Sequence, residues 1–259
     1  MSGLPFWHID AFAEGPFTGN PAGVIRLDRW HDEAELGRIA REINLPATAF
    51  AVAAAEGEAD FEIRWFSPRG EIGLCGHGTL AAGRALIGER EAVGFATRTA
   101  GLVRVTRHGD KLGLSLPIIP AVPKYLPDAV DVIGGEPVET LWHDRGYGIL
   151  RYADEAEVRA LAPDFAALAR MGDVQFSATA PGHDTAIVSR VFTSRGGEDA
   201  VTGSAHSLLV PYWAAQLGRT AFTAFQASAR GGFLDCRLEG DRAVLSGRCV
   251  TIVEGRFLA

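Results

Sequence analysis

The sequence predicts a mixed α/β fold with two similar halves, each built from a sheet and a helix. Strand-like and helix-like segments alternate along the 259 residues, and the alternation restarts after a proline-rich stretch. Residues 64–80 also echo residues 190–206, which indicates an internal duplication. Because 47% of the residues are hydrophobic and 22% are charged, the chain can bury cores of this size.

The first half opens with a predicted hairpin and an amphipathic helix. Residues 6–13 and 22–27 read as strands, and the loop between them is rich in turn-forming residues. Residues 31–43 carry apolar side chains at helical spacing and acidic residues in the first turn, which complements the helix dipole. The remaining predicted elements are strands at 47–54 and 60–68, a small-residue helix at 78–89, and strands at 102–107 and 111–117.

The second half begins after residues 116–130, which contain four prolines and lack clear periodicity, so we place a domain crossing there. A long helix is predicted at 202–218, with Pro211 either kinking it or marking a shared first turn. The other predicted elements are a strand at 147–153, short helices at 154–163 and 164–172, a strand at 184–193, and a hairpin and last strand within 231–259.

The repeat places a glycine-containing turn ahead of a helix in each half. After one added residue, Gly76 of the first copy falls on Gly203 of the second. Such turns let a ligand approach the backbone, and the unpaired N–H groups of a helix's first turn attract an anion. Each half therefore offers a binding site for a carboxylate. The matched pairs before the added residue are Arg64 with Arg190, Phe66 with Phe192, Arg69 with Arg195, and Gly70 with Gly196.

Candidate reactive side chains flank both turns. Cys75 and His77 lie in the first copy, and Asp199, Thr202 and Ser204 lie in the second. If the two halves face each other, these groups converge on one cleft that is suited to proton transfer.

Structural roles are the alternative for several of these residues. Cys75 is compatible with a small buried apolar residue, and Asp199 and Ser204 are compatible with helix caps. His206 lies inside the predicted helix, where a structural role is expected. His77, between two glycines at a helix start, is harder to explain by packing.

Composition excludes several functional classes. The formal net charge is −7 and no Lys/Arg run appears, which opposes nucleic-acid binding. Cys75, Cys236 and Cys249 lie in unrelated contexts, so neither a disulfide framework nor a CxxC metal site is predicted. With no leader pattern and no long apolar stretch, we expect a cytoplasmic protein without a membrane partner.

Five separated motifs resemble the PhzF-like family of phenazine biosynthesis proteins. The resemblance implies the diaminopimelate epimerase-like fold: two pseudo-symmetric halves, each a curled sheet around a central helix, with the active site in the cleft between them. It further implies a homodimer without a cofactor, and a last strand that returns to the first half. The expected halves are thus residues 1–117 with 249–259, and residues 118–248. The motifs are residues 10–24, 39–50, 63–83, 196–218 and 225–247.

The resemblance also implies roles for individual residues. In the phenazine isomerase, a glutamate shuttles a proton with help from residues matching His77 and Asp199, and backbone amides matching Gly76, Gly203 and Ser204 hold the substrate carboxylate. Ala47 occupies the glutamate's position here. A positioned general base supplies roughly 10²- to 10⁴-fold in rate, so this replacement argues against the same isomerisation. Glu42, Glu56 and Glu58 are the carboxylates nearby in sequence.

A second resemblance concerns proline racemase and diaminopimelate epimerase, which use two facing cysteines. Cys75 falls on the first cysteine, but Thr202 falls on the second. A threonine hydroxyl is too weakly acidic to mirror a thiolate without an activating base, which disfavours two-base racemisation.

The sequence therefore favours a cofactor-independent, metal-free isomerase acting on a small carboxylate-bearing metabolite. Asp199 and His77 are expected to relay the proton, with Cys75 as a substitute base. A non-catalytic carboxylate-binding protein that keeps the same cleft is the alternative. The expected substrate-binding residues are Gly76, Gly78, Gly203, Ser204 and Thr202.

Overall fold

The computed structural model describes residues 3–55 and 57–258. The chain forms two compact units: unit 1 comprises the residues up to 115 and those from 246 onward, and unit 2 comprises residues 116–245. In the described ranges no helix has the length and apolar character needed to cross a membrane.

Strands outnumber helices in both units. Up to the end of unit 1's first segment, the elements are β1 (Leu4–Ala11), β2 (Asn20–Leu27), α1 (Glu33–Ile43), β3 (Ala47–Ala53), β4 (Phe61–Ser67), β5 (Gly70–Ile72), α2 (Gly76–Leu86), β6 (Ala92–Ala96), β7 (Leu102–His108) and β8 (Lys111–Pro117). They continue with β9 (Val122–Pro123), α3 (Pro127–Ile133), β10 (Glu139–His143), β11 (Tyr147–Arg151), α4 (Glu155–Ala160), α5 (Phe165–Leu168), β12 (Gln175–Pro181), β13 (Ile187–Thr193), β14 (Gly197–Asp199), α6 (Gly203–Leu217), β15 (Ala221–Gln226), β16 (Gly232–Glu239), β17 (Arg242–Gly247) and β18 (Cys249–Phe257).

In unit 1 a curled sheet surrounds α2. β1 pairs antiparallel with both β18 and β2, β2 pairs parallel with β3, and β3 pairs antiparallel with β4. β4 then pairs antiparallel with β5 and parallel with β6. Helix α2 packs against strands as far apart in this order as β18 and β7, which requires the sheet to wrap around it.

Unit 2 repeats this connectivity. β10 pairs antiparallel with β11, β11 parallel with β12, and β12 antiparallel with β13. β13 then pairs antiparallel with β14 and parallel with β15. Helix α6 packs against β11, β12 and β16, in the place that α2 has in unit 1. The internal duplication predicted from residues 64–80 and 190–206 is therefore a duplication of the folding unit.

The central helices α2 and α6 are more deeply buried than α1. Asp32 caps α1 by accepting from the Glu35 N–H at 2.7 Å, and one face of this helix packs in a core with Phe50 and Phe66. In α2 every residue from His77 to Gly83 is buried, which agrees with the small-residue helix predicted at 78–89. The predicted helix at 202–218 is α6, which continues through Pro211.

The added residue of the repeat lies in the turn before β14. Ser67 pairs with Gly70 across the first hairpin, and Thr193 pairs with Gly197 across the second. Gly70 is thus equivalent to Gly197, and the sequence-based match of Gly70 with Gly196 is wrong by one residue. Both equivalent glycines have positive φ, 146° and 78°, a conformation that other residues rarely adopt.

The proline-rich stretch contains an element that the sequence pattern did not predict. Helix α3 begins at Pro127, and its buried residues Ala129 and Ile133 join the core of unit 2. Proline at the first helical position is favourable because its missing N–H has no partner in the helix and its φ is already helical.

The packing of α2 generates a stability prediction. A Cβ on Gly83 would lie 2.6 Å from Cγ1 of the buried Val105, whereas a Cβ on Gly37 of α1 would meet its nearest atom at 3.5 Å. We expect Gly83→Ala to lower the free energy of unfolding by about 1–3 kcal/mol through overpacking. Gly37→Ala should raise it by up to about 1 kcal/mol, because alanine is the better helix former. Urea unfolding of both variants measures this; stabilisation by both would contradict the packing described for α2.

Candidate active site

An arginine–glutamate pair fixes the hairpin ahead of α2. Arg64 Nε and Nη2 each donate to a different carboxylate oxygen of Glu71, both at 2.7 Å, and the guanidinium lies over the Phe66 ring at 5.0 Å. This pairing lowers the pKa of Glu71 and raises that of Arg64. Because Glu71 lies in β5, the pair holds the chain that leads directly to Cys75.

Cys75 and His77 lie next to each other at the start of α2 in unit 1. Cys75 occupies the N-cap position of α2 in an extended conformation, and its Sγ lies 3.6 Å from His77 Nδ1. Both residues are buried, at 5% and 8% exposure. The Thr79 hydroxyl donates to the Cys75 carbonyl at 2.6 Å and so fixes the backbone at this point.

Gly78 has a packing reason to be glycine. A Cβ there would lie 3.0 Å from both Cys75 Sγ and Trp65 Cδ1. The missing side chain therefore lets the Trp65 indole and the Cys75 thiol pack against the first turn of α2. Its predicted part in carboxylate binding stays a prediction.

Unit 2 has the same arrangement ahead of α6. Arg190 Nε and Nη2 donate to the two carboxylate oxygens of Glu198 at 2.7 and 2.9 Å, and the guanidinium lies over Phe192 at 5.0 Å. Thr202 occupies the N-cap position with φ and ψ of −120° and 108°, close to the −132° and 104° of Cys75. Thr202 is thus the structural counterpart of Cys75.

Asp199 is bound to Thr202. The Thr202 hydroxyl donates to Asp199 Oδ2 at 2.6 Å, and the backbone N–H of Ala200 donates to Asp199 Oδ1 at 3.0 Å. Ser204, the second residue of α6, donates its hydroxyl to Gln175 Oε1 at 3.0 Å. The helix-cap alternative for Asp199 and Ser204 is therefore wrong, since Thr202 holds the N-cap position.

Neither N-cap side chain makes a capping hydrogen bond to a backbone N–H of its helix, within the part of the chain that the structure describes. Cys75 precedes the first-turn residues Gly76, His77 and Gly78, and Thr202 precedes Gly203 and Ser204. The partial positive charge at a helix N-terminus is favourable for an anion.

His206 is a structural partner of Thr202. Its Nδ1 lies 2.8 Å from the Thr202 carbonyl oxygen, the position that the Thr79 hydroxyl takes toward Cys75 in unit 1. The side chain is completely buried, and burial lowers the pKa of His206 from 6.5 to about 4. The imidazole is therefore neutral near pH 7, with its proton on Nδ1.

Ala47, where the family's glutamate is expected, lies in β3 with 0% exposure and pairs with Ala22. Glu42 and Glu58 are exposed, and Glu58 pairs with Arg104 at 3.4 Å, so neither replaces a buried carboxylate beside Ala47. Glu56 lies outside the described residues.

The sequence analysis did not single out two buried polar residues, one of which lies beside the half-site of unit 2. The half-sites are residues 75–78 in unit 1 and 199–204 in unit 2. Gln226, fully buried at the end of β15, bonds both Asp199 and Thr202. Asp10, at 1% exposure in β1, accepts from the Phe17 N–H and lies 3.6 Å from His8. Asp10 begins the first family-like motif. The available signal in the sequence was a charged residue placed between apolar ones.

A family profile described as phenazine biosynthesis-like protein matches residues 9–141 and 146–255. The chain belongs to the phenazine biosynthesis-like protein family. An uncharacterized isomerase of Pseudomonas aeruginosa is 44% identical, with 98% of each chain covered. A second uncharacterized isomerase, from Halalkalibacterium halodurans, is 33% identical over the full length of both chains.

Solved structures agree with this membership. A PhzF-family protein of Enterococcus faecalis superposes with a TM-score of 0.91 at 36% identity, covering 100% of both chains. A probable proline racemase from Agrobacterium radiobacter is 14% identical with a TM-score of 0.66, covering 98% of this chain and 93% of its own, and it shares the fold. The predicted diaminopimelate epimerase-like fold is thereby confirmed, and the family favours an isomerase-type activity.

The three cysteines should differ in reactivity. Burial raises the pKa of the Cys249 thiol to about 12 and that of Cys236 further, whereas Cys75 Sγ lies 3.6 Å from a histidine nitrogen. We expect iodoacetamide at pH 8 to alkylate Cys75 at least about tenfold faster than Cys236 or Cys249. Peptide mass spectrometry of the folded protein after alkylation measures the three rates. His77→Asn should remove most of this difference. Equal rates for all three thiols would exclude an activated Cys75.

His206 should make stability fall in acid. Its pKa in the folded state lies below the unfolded value, so the unfolded state binds more protons between pH 6.5 and about 4. The free energy of unfolding should therefore decrease by about 3 kcal/mol more in the wild type than in His206→Gln across that window. Urea titrations at several pH values test this, and parallel pH curves for the two proteins would refute it.

Proposed function

We propose that this protein is a cofactor-independent isomerase that moves a proton on a small carboxylate-bearing metabolite. Asp199 acts as the base, and His77 with Cys75 handles the proton at the other half-site. The amides of Gly76, Gly78, Gly203 and Ser204 hold the substrate carboxylate. Thr202 orients Asp199. The cytoplasmic location that the composition predicts, and the biosynthetic role and homodimer that the family resemblance implies, stay predictions.

The observation that supports this proposal most directly is the hydrogen bond from Thr202 to Asp199. At 2.6 Å the Thr202 hydroxyl donates to Asp199 Oδ2, so this carboxyl oxygen is held as a hydrogen-bond acceptor. A general base must be held within hydrogen-bond reach of its substrate, and this contact fixes one carboxylate oxygen in place.

Proton transfer also needs a group that returns the proton. Cys75 and His77 supply two exchangeable protons at the equivalent place in unit 1, with Sγ and Nδ1 3.6 Å apart. An imidazole close to a thiol is a combination that transfers protons at neutral pH. These two residues are therefore assigned the part that the glutamate plays in the phenazine isomerase.

A non-catalytic carboxylate-binding protein is the second candidate, and Ala47 is the observation that favours it. A fully buried methyl group replaces a proton-carrying carboxylate there, with Ala22 as its neighbour on β2. Under this alternative the helix N-termini bind an acid but no proton is exchanged.

The two functions predict different outcomes in deuterated water. A panel of small α-amino, α-hydroxy and α,β-unsaturated acids is first screened for ligands that raise the melting temperature. Each ligand is then followed by proton NMR for loss of a C–H signal. Under the isomerase proposal at least one ligand exchanges, and Asp199→Asn slows exchange by about 10²- to 10⁴-fold while thermal stabilisation by the ligand persists.

Asp173→Asn is the matched control, because Asp173 is 73% exposed, belongs to the same unit and pairs only at the surface with Arg195. It should exchange at the wild-type rate. Ligands that stabilise the protein but exchange no C–H proton in any variant would refute the isomerase proposal and support the binding-protein alternative.

A further inference from the structure

We propose that Gln226 is a positioning residue that aims Asp199 through Thr202. This inference rests on the proposed function of Asp199 as the base. Gln226 is completely buried and lies at the end of β15, where it pairs with Ser189 of β13. Its side chain makes three hydrogen bonds with the loop that carries Asp199 and Thr202.

The contacts determine which way the Gln226 amide faces. Its Oε1 accepts from the Thr202 backbone N–H at 2.9 Å, and its Nε2 donates to the Asp199 carbonyl oxygen at 2.8 Å. A backbone N–H only donates and a carbonyl only accepts, so the opposite amide orientation is excluded. Nε2 is therefore also the donor in its 3.2 Å contact with Thr202 Oγ1.

This orientation gives the hydrogen bonds one direction. Because Gln226 donates to Thr202 Oγ1, the hydroxyl proton of Thr202 is left to face Asp199 Oδ2, 2.6 Å away. The chain thus runs from the Gln226 amide through the Thr202 hydroxyl to the Asp199 carboxylate. Each donor strengthens the next bond, and Asp199 Oδ2 is the final acceptor.

The duplicated fold shows that the sheet itself does not require this glutamine. β4 and β13 are related by the 126-residue offset, so the β4–β6 pair Phe61 and Phe95 corresponds to the β13–β15 pair Ile187 and Ala224. Two residues further along, Gln226 corresponds to Thr97.

Thr97 has a purely local role. Its hydroxyl donates to the Gly101 carbonyl at 2.8 Å within a turn. The same place in the fold therefore holds a turn residue in unit 1 and a buried amide directed at Asp199 in unit 2. This asymmetry is what a role in orienting Asp199 predicts.

The test compares three substitutions in the complete protein with the deuterium-exchange assay. Gln226→Leu and Thr202→Val each break the chain and should slow exchange by about tenfold or more, with ligand-induced thermal stabilisation retained. Thr202→Ser keeps the hydroxyl and should restore most of the rate. Ser228→Ala is the matched control, because the Ser228 hydroxyl donates to the Ala200 carbonyl of the same loop at 2.8 Å and is not a member of the chain from Gln226 to Asp199.

A spectroscopic readout tests the chain independently of any reaction. The side-chain NH₂ signals of Gln226, assigned by their loss in Gln226→Glu, should be protected from solvent exchange. They should shift in Thr202→Val and Asp199→Asn but not in Ser228→Ala. The proposal would be overturned if the signals exchanged freely with solvent, or if they shifted in neither Thr202→Val nor Asp199→Asn.

Failure of the isomerase proposal and failure of the positioning role of Gln226 give different results. Protected, responsive Gln226 signals in a protein that exchanges no acid would refute the isomerase and leave the hydrogen-bond chain intact. Exchange that depends on Asp199 but is unchanged in Gln226→Leu would refute the positioning role alone. Gln226→Glu, which is nearly isosteric, provides a second activity variant if Gln226→Leu does not fold.

Discussion

Both half-sites depend on one kind of interaction, a bidentate ion pair between an arginine and a glutamate across a short hairpin. Arg64 and Glu71 make it in unit 1, and Arg190 and Glu198 make it in unit 2. The hairpins they close are only three residues long on the glutamate side, so each ion pair adds a side-chain link to a short backbone ladder. Since Asp199 directly follows Glu198, the ion pair of unit 2 also anchors the backbone that carries this carboxylate.

The duplicated scaffold carries unlike chemistry at equivalent positions. The N-cap residue is Cys75 in one unit and Thr202 in the other, and the residue that holds its carbonyl is Thr79 in one and His206 in the other. The backbone conformations of the two caps are nearly the same. The fold thus supplies two similar helix N-termini, and the side chains beside them differ: a thiol in unit 1, and a hydroxyl bonded to a carboxylate in unit 2.

The sequence predicted the fold well because its signals are local or repeated. The helix expected at 31–43 is found at Glu33–Ile43, where the apolar spacing and the Asp32 cap are both visible in the sequence. Helix α3 was missed because its short length gives too few turns for a periodic pattern. Strand β12 was missed because its serine, threonine and alanines are all buried small residues with little contrast in polarity.

The site was only partly predictable. Asp199 and Thr202 are three residues apart, so their proximity was evident, but capping was the usual expectation for such a pair. Gln226 is 24 residues from Thr202, and only the parallel pairing of β13 with β15 brings it to that loop. The turn glycine was assigned one residue early, because sequence identity cannot tell Gly196 from Gly197 whereas the backbone torsion can.

The equivalence of Cys75 and Thr202 also bears on how reactions diverge within this architecture. A thiol at Thr202 would have the same backbone support and the same helix end beneath it as Cys75 already has. The two units therefore differ at this position by one side chain on nearly the same backbone. A substitution there changes the reactive group without requiring a different sheet, hairpin or helix.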